Sequence, residues 1–447
     1  MRVRGRREVG GGGRGLGRPF ATLWGATAIA NVGDGVLLAA VPLLVASITD
    51  NPALVGWAVF VQRLPWLLFS LISGVVVDRI DRRRLIVVVH LLRATLIGGL
   101  VLAVWGDAVS VPVIYAVAFL LGTCETLGDN ASVSLLPATV RVEDLPRANA
   151  RMEMVYSVIN QLTAPPLGAA LFAVAVALPF GVNAATYVVA ALLIASLRGA
   201  LPAPAPAPAR TPARERRRVR AEIAEGVRWL WNQPVIRLVA IVLTLMNVTL
   251  VAGFSLLVLY ATEILGLGEV GYGLLYSASA AGGLLGALCA ARLHARFGPP
   301  LLLRAALVLE TLTHVGLALA GTVWLAAPVL LLFGAHNAVF RVVIRTLRQR
   351  AVPDALRGRV ESVFMMFSMG GAALGALVGG PIAGLLGVTG PFWISAALMS
   401  VLTLVAWRPF GRQVADAARG DRGVAAAGGQ TGAATGEPPR GDEPASR

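Results

Sequence analysis

Long apolar runs, each close to the length of a membrane span and separated by short polar links, constrain this chain more than any other feature. Roughly 20 apolar residues carry a helix across a bilayer, and only helices and closed barrels satisfy their own backbone there. Twelve runs are read, at 20–48, 53–77, 85–105, 110–136, 153–178, 181–197, 235–262, 272–293, 300–321, 323–344, 361–386 and 391–408. Composition agrees. The chain is 56% hydrophobic and 14% charged, with a mean hydropathy of +0.73, outside the range of soluble globular domains.

The net charge of +15 would point to nucleic acid in a soluble chain, yet all 39 basic residues are arginine and they gather in links. They cluster at Arg79–Arg84, Arg141–Arg151, Arg198–Arg220, Arg292–Arg296 and Arg345–Arg359, which are alternate links. The other links (Asp50-Asn51-Pro52, Gly106-Asp107, Glu263 to Glu269 and Gly387 to Gly390) carry no arginine. Basic links stay inside, so both termini are expected in the cytoplasm of a multi-pass cell-membrane protein, with lipid and not nucleic acid as its surroundings. The run after Phe20 is span-length and lacks a signal-peptide cleavage pattern. Cys124 and Cys289 lie inside apolar runs and imply neither a disulfide framework nor a metal site.

Residues 1–19 read as a cytoplasmic tail, 20–197 as a first six-helix bundle, 198–234 as a linker, 235–410 as a second bundle and 411–447 as a disordered cytoplasmic tail. The linker contains LPAPAPAPARTPARERRR, a stiff Pro-Ala stretch followed by a basic cluster. Beyond it Ile223, Val227, Leu230 and Trp231 recur at helical spacing opposite Glu222, Glu225 and Arg228, which predicts a short helix on the cytoplasmic membrane surface.

The halves resemble each other at an offset of about 210 residues. Gly122 to Ala150 and Gly334 to Val360 each run from a glycine in an apolar helix to a basic link about one span later. Leu167-Gly168-Ala169 matches Leu374-Gly375-Ala376, and Gly74 to Arg84 has a decayed counterpart within Leu284 to Gly298. Such repeats mark two-bundle transporters with a site between the halves near mid-membrane.

The link GVVVDRIDRRR, with its Gly74-x-x-x-Asp78-Arg79-x-x-Arg82-Arg83 pattern after the second span, resembles the signature loop of the major facilitator superfamily. Further phrases are similar to its drug:proton antiporters of the macrolide-efflux and enterobactin-exporter-like branch: Leu64-Pro65-Trp66-Leu67, Leu145-Pro146-Arg147-Ala148-Asn149-Ala150, the stretch Glu222 to Trp229, and Val352-Pro353-Asp354 with Arg357-Gly358-Arg359-Val360. Two departures stand out. Asp81 replaces the usual loop glycine, and Ala164-Pro165-Pro166-Leu167-Gly168-Ala169 matches the antiporter Gly-Pro-Gly-Gly pattern only in part. The resemblance implies an all-α membrane fold of twelve transmembrane helices in two six-helix bundles. It also implies a gate in which Asp78 meets the start of span eleven, with Arg79 or Arg359 as ion partner. The gate set is Gly74, Asp78, Arg79, Arg82, Arg83 and Arg359.

Polar residues inside spans are costly and so mark cavities or partners. Asp34 lies about 21 Å along the first span, near the bilayer centre; the resemblance implies that spans one, four, seven and ten line the cavity. Glu125 and Asp129 stack one turn apart on span four, and two acids so close in a low dielectric resist ionising together. These three are the proton-coupling candidates. Each acid has an alternative reading as an internal ion pair, with Arg63 or Arg93 as partner. Arg63, Asn247, His336, Asn337 and Arg341 are cavity-lining candidates, and Glu310 with His314 is read as a helix-to-helix hydrogen bond.

The reading is therefore a secondary transporter that exports an amphipathic small molecule, a drug or natural product, by alternating access in exchange for protons. A proton-coupled importer or uniporter of a small metabolite is the alternative within transport, and a transporter-derived sensor the alternative outside it. An enzyme is not expected: four scattered histidines and no HExxH or GxSxG motif give it no catalytic set. No Walker motif calls for ATP, and neither a cofactor nor an obligate protein partner is implied. Reporter fusions after Arg198 and Arg412 should both read cytoplasmic and one at Asp50 external; a cytoplasmic signal at Asp50 would overturn the span count.

Overall fold

The computed structural model describes residues 16–197, 223–353 and 356–433, without the side chains of 70–79, 133–134, 357 and 413–433. Among the described residues there are helices and turns and no strand. The first half runs α1 (Arg18–Ala46), α2 (Pro52–Arg79), α3 (Arg82–Trp105) and α4 (Val111–Leu135). The next span, α5, is Val142–Val174. In it a helix Leu145–Met154 gives way to a π-helical stretch Val155–Thr163 and returns to α-helix at Ala164–Val174. Helix α6 (Leu178–Ser196) completes the half.

A short helix, 223–232, precedes α7 (Pro234–Phe254). The helical stretch Glu269–Leu319 then runs for 51 residues, about 76 Å if straight and more than twice a bilayer core. It is broken at Gly298, where φ is 71° and two prolines follow that cannot continue the ladder. The break separates α8 (269–297) from α9 (299–319). Helices α10 (Val323–Ala351), α11 (Arg357–Leu386) and α12 (Gly390–Ala433) finish the chain. Eleven helices have span length and hydropathy, and the break at Gly298 makes the spans twelve, as the apolar runs predict. The apolar part of α12 is Gly390–Arg412. The helix continues to Ala433, into residues expected to be an unstructured tail, where the run Ala425-Ala426-Ala427 has high helix propensity.

Packing repeats between the halves. Helix α1 packs on α5 and α6, α2 on α4, and α3 on α6; correspondingly α7 packs on α11 and α12, α8 on α10, and α9 on α12. These pairings make two six-helix bundles. Where lipid removes the hydrophobic drive between helices, small residues supply close contact instead. A Cβ on Gly168 would overlap the Val36 carbonyl, and one on its repeat partner Gly375 would overlap the Val248 carbonyl. Gly122 and Gly334 form the second such pair, against the Gln62 and Ser279 carbonyls. The repeated glycines are thus the backbone seams of both bundles.

The bundles touch through α2 with α11 and α5 with α8. Proline governs both contacts. Pro166 has no N–H for the Leu162 carbonyl four residues back, and Ser277 Oγ of α8 donates to that oxygen at 2.6 Å. Pro381 leaves the Leu377 carbonyl in the same condition, and Trp57 Nε1 of α2 donates to it at 3.1 Å. Gly380 packs on Pro52 and Gly273 on Pro166 beside these bonds. The contacts run from mid-depth to the end with the short acidic links. Toward the arginine-rich end Tyr156 and Met154 of α5, Leu67 and Leu68 of α2, and Met365 and Met366 of α11 are exposed.

At the arginine-rich end Asp81 caps α3, accepting from the backbone N–H groups of Arg83 at 2.9 Å and Arg84 at 3.2 Å. This is the work of the aspartate that replaces the usual loop glycine. Arg82 opens α3 beside it. The Arg83 guanidinium donates to the Ile194 and Ala195 carbonyls, closing the end of α6. Residues Gly74, Asp78 and Arg79 fall within α2, and the side chains at 78 and 79 lie outside the described residues, as do linker residues 198–222. The helix 223–232 does not simply lie on the membrane. Leu230 is fully buried in the second bundle's core with Val360 and Phe364, and Glu225 pairs with Arg359 at 2.8 Å. Ile223, Val227 and Leu230 of its apolar stripe face protein because α11 offers them a partner, while Trp231 stays exposed.

Removing the two cross-bundle donors, Trp57→Phe with Ser277→Ala, strands two proline-freed carbonyls. At about 1 kcal/mol each, the population with the bundles parted at that end should rise roughly tenfold or more. Spin-label distances across α2 and α11 there measure it.

Candidate functional site

Two of the acids expected inside the spans share one buried cation. The Arg93 side chain of α3 is only 8% exposed and reaches Asp34 of α1 at 3.8 Å and Glu125 of α4 at 4.0 Å with different nitrogens. Those carboxyl side chains are 30% and 39% exposed, so each has one side on the arginine and the other open. A guanidinium suits this position because its planar fork serves two acceptors at once. Asp129, one turn beyond Glu125, is exposed and within electrostatic reach of Glu125, Arg93 and Asp34. Asp34, Glu125 and Asp129 therefore come together, around an arginine named at the sequence level only as a possible ion partner.

Helix α6 completes the cluster. Tyr187 donates its hydroxyl to Asp34 Oδ1, and its ring lies under the Arg93 guanidinium at 4.8 Å. His90, one turn before Arg93, stacks on the Tyr187 ring as well, with centroids 5.7 Å apart. Neither Tyr187 nor His90 was a sequence-level candidate. Tyrosine in a span usually anchors an end, whereas Tyr187 sits at the middle of α6; that misplacement was the readable signal. Gly33 lets α6 approach beside Asp34, where a Cβ would overlap Thr186 and Asn183. The π-helical stretch of α5 faces the same helix α1: Asn160 donates to the Asn31 carbonyl at 3.4 Å and accepts from Gln161 at 2.7 Å.

The cavity-lining candidates divide. Arg63 of α2 is half-buried and within electrostatic reach of Glu125, Tyr156 and, on the second bundle, Tyr276. Arg341 of α10 is exposed and in reach of Tyr156 of α5. Asn337 is half-buried on α10. Asn247 turns its amide to the Leu243 carbonyl of its own helix at 2.8 Å and packs against Gly371. His336 stands apart from the acids, inside the second bundle, with Nε2 2.9 Å from Glu310 Oε2. Glu310 and His314 are both fully buried, 3.6 Å apart on the same helix α9, and it is the Glu310–His336 pair that makes the helix-to-helix polar contact between α9 and α10. Among the described residues no group of three or more His, Cys, Asp and Glu is arranged to hold a metal ion.

A two-bundle, twelve-span chain with a partly exposed charged cluster among its spans has the architecture of a membrane transporter. The family described as transmembrane secretion effectors matches residues 17–419, and the chain belongs to that family, within the major facilitator superfamily. It is similar to the multidrug efflux pump Tap of Mycobacterium tuberculosis, 31% identical over 395 residues that cover 86% of this chain and 91% of the pump. It is also similar to the enterobactin exporter EntS of Citrobacter koseri, at 29% identity with 81% and 84% covered. Among solved structures the nucleoside transporter NupG superposes with a TM-score of 0.68 at 14% identity, over 89% of this chain and all of that one, which bears on fold alone. The protein is a transmembrane efflux transporter of the major facilitator type.

Replacing Arg93 with leucine leaves Asp34 and Glu125 without their shared cation. The loss of stability should be large, though below the roughly 3–5 kcal/mol of a fully buried pair because both acids are part-exposed. Thermal unfolding in detergent should drop further for Arg93→Leu than for Arg63→Leu, and equal drops would place Arg93 among the solvated charges.

Proposed function

We propose that this transporter exports amphipathic small molecules, drugs or a secreted natural product, in exchange for protons, with Asp34, Glu125 and Asp129 as the proton-carrying set. The observation that carries the reading is Arg93 held between Asp34 and Glu125 while both carboxyls keep an open side. One buried guanidinium balances one of three carboxylates, with Arg63 farther off. The imbalance is relieved by a proton or by a positively charged group of the substrate. Competition between the two for the same carboxylates is the logic of exchange: each leaves when the other arrives. The names of Tap and EntS, a multidrug pump and a siderophore exporter, support the direction and the substrate class.

The cross-bundle contacts support alternating access. With the arginine-rich links in the cytoplasm, the bonds from Trp57 and Ser277 close the outer side, and the exposed faces of α2, α5 and α11 open inward. This form is the one that loads substrate from the cell. Asp78 meeting the N-terminus of α11 would close the inner side in the opposite form, worth about 0.3–2 kcal/mol as a carboxylate at a helix start.

The test is proton-driven export from vesicles by variants that keep binding. Asp34→Asn should abolish gradient-driven export while substrate binding remains measurable, because the neutral amide imitates the protonated acid. Full proton-driven export by Asp34→Asn removes that residue from the mechanism, and full export by Glu125→Gln with Asp129→Asn removes the pair. In a pump-deficient host, accumulation across a drug panel that ignores both the protein and a protonophore would overturn the reading as a whole.

A further inference from the structure

A groove between α8, α9 and α10 encloses about 270 Å³ and is walled by Leu285, Cys289, Leu293, Ala305, Leu309 and His336 among others. It lies in the second bundle, apart from the Arg93 cluster. Its polar wall is already occupied: His336 Nδ1 sits 3.2 Å from the Leu332 carbonyl and Nε2 2.9 Å from Glu310. An occupant therefore meets hydrocarbon, and a polar group brought into the groove would be left unpaired at a cost.

Charge appears at one end only. Leu285, Cys289, Arg292 and Arg296 follow at steps of four, three and four residues, so they form one stripe along α8. The two arginines are exposed and stand between the groove and the arginine-rich end of the bundle. An apolar slot that continues into two cations at the membrane surface complements a molecule with a hydrocarbon chain and a negatively charged head.

We propose that this groove is a binding site for an anionic phospholipid, one acyl chain lying in the slot and the phosphate headgroup on Arg292 and Arg296. The leaflet is the one that meets the arginine-rich links. The site is separate from the transport route, and nothing in it depends on proton exchange.

The experiment is native mass spectrometry of the full-length protein, released from detergent after exchange into mixed phosphatidylglycerol and phosphatidylethanolamine. Retained phosphatidylglycerol should exceed phosphatidylethanolamine by roughly thirty-fold, the preference two arginines near a headgroup layer supply. Arg292→Gln with Arg296→Gln should remove the preference and still retain lipid. Ala305→Phe fills the slot and should remove retention of both lipids. The arginine variant changes only exposed side chains, so it decides the matter even if the phenylalanine variant fails to fold. Equal retention of the two lipids by the unaltered protein, a preference that survives loss of both arginines, or a groove filled by detergent or by a second copy of the chain overturns the proposal. Because the readout is retained lipid, the result stands whether or not export proves proton-driven.

Discussion

In hydrocarbon a backbone carbonyl without a donor is expensive, and each proline within a span leaves one. This constraint ties the two halves of the protein together. Leu162 and Leu377 are freed by Pro166 and Pro381, which lie at different heights on α5 and α11, the corresponding spans of the two repeats. Each carbonyl takes its donor from the other bundle, Ser277 or Trp57. Under the proposed alternating access, a bond across this interface exists in only one of the two forms. The same prolines therefore free the carbonyls through which the bundles are held closed at one end.

The glycine seams act on a different scale. Contacts of Gly168 with Val36 and Gly375 with Val248 bring backbones together within each bundle, where no side chain intervenes and little sliding is possible. In the proposed cycle bundles built this way would move as rigid bodies, with motion concentrated at the interface between them. The charged cluster sits inside the first of these bodies. Arg93, Tyr187 and His90 come from helices packed within that bundle, so they hold Asp34 and Glu125 in place while each carboxyl stays partly exposed.

Relatives and fold agree on the class, and the chain's own residues carry the detail. Asp81 shows how a departure from a family pattern acquires a reason. It caps α3 where the usual residue would be a glycine with no side chain to accept from Arg83 and Arg84. The helix 223–232 shows the converse. An amphipathic stripe beside a membrane protein has two apolar destinations, lipid or protein, and its spacing is the same for both; Leu230 and the Glu225–Arg359 pair settle on protein.

By itself the sequence determined the number of spans, the repeat, the class of fold and the intramembrane acids, because each rests on local quantities: the length of an apolar run, a recurring motif, the cost of a charge in hydrocarbon. Even the split of one 51-residue helix into two spans was present as Gly298-Pro299-Pro300. Only tertiary structure decided which acid meets which base. Asp34, Arg93, Glu125 and Tyr187 stand on four helices far apart in the chain. Side chains on different spans meet through helix rotation and depth, which a run of apolar residues leaves open by a full turn. His336 shows the size of that freedom: the same residue fits the central cavity or the Glu310 contact by sequence, and helix packing placed it on Glu310.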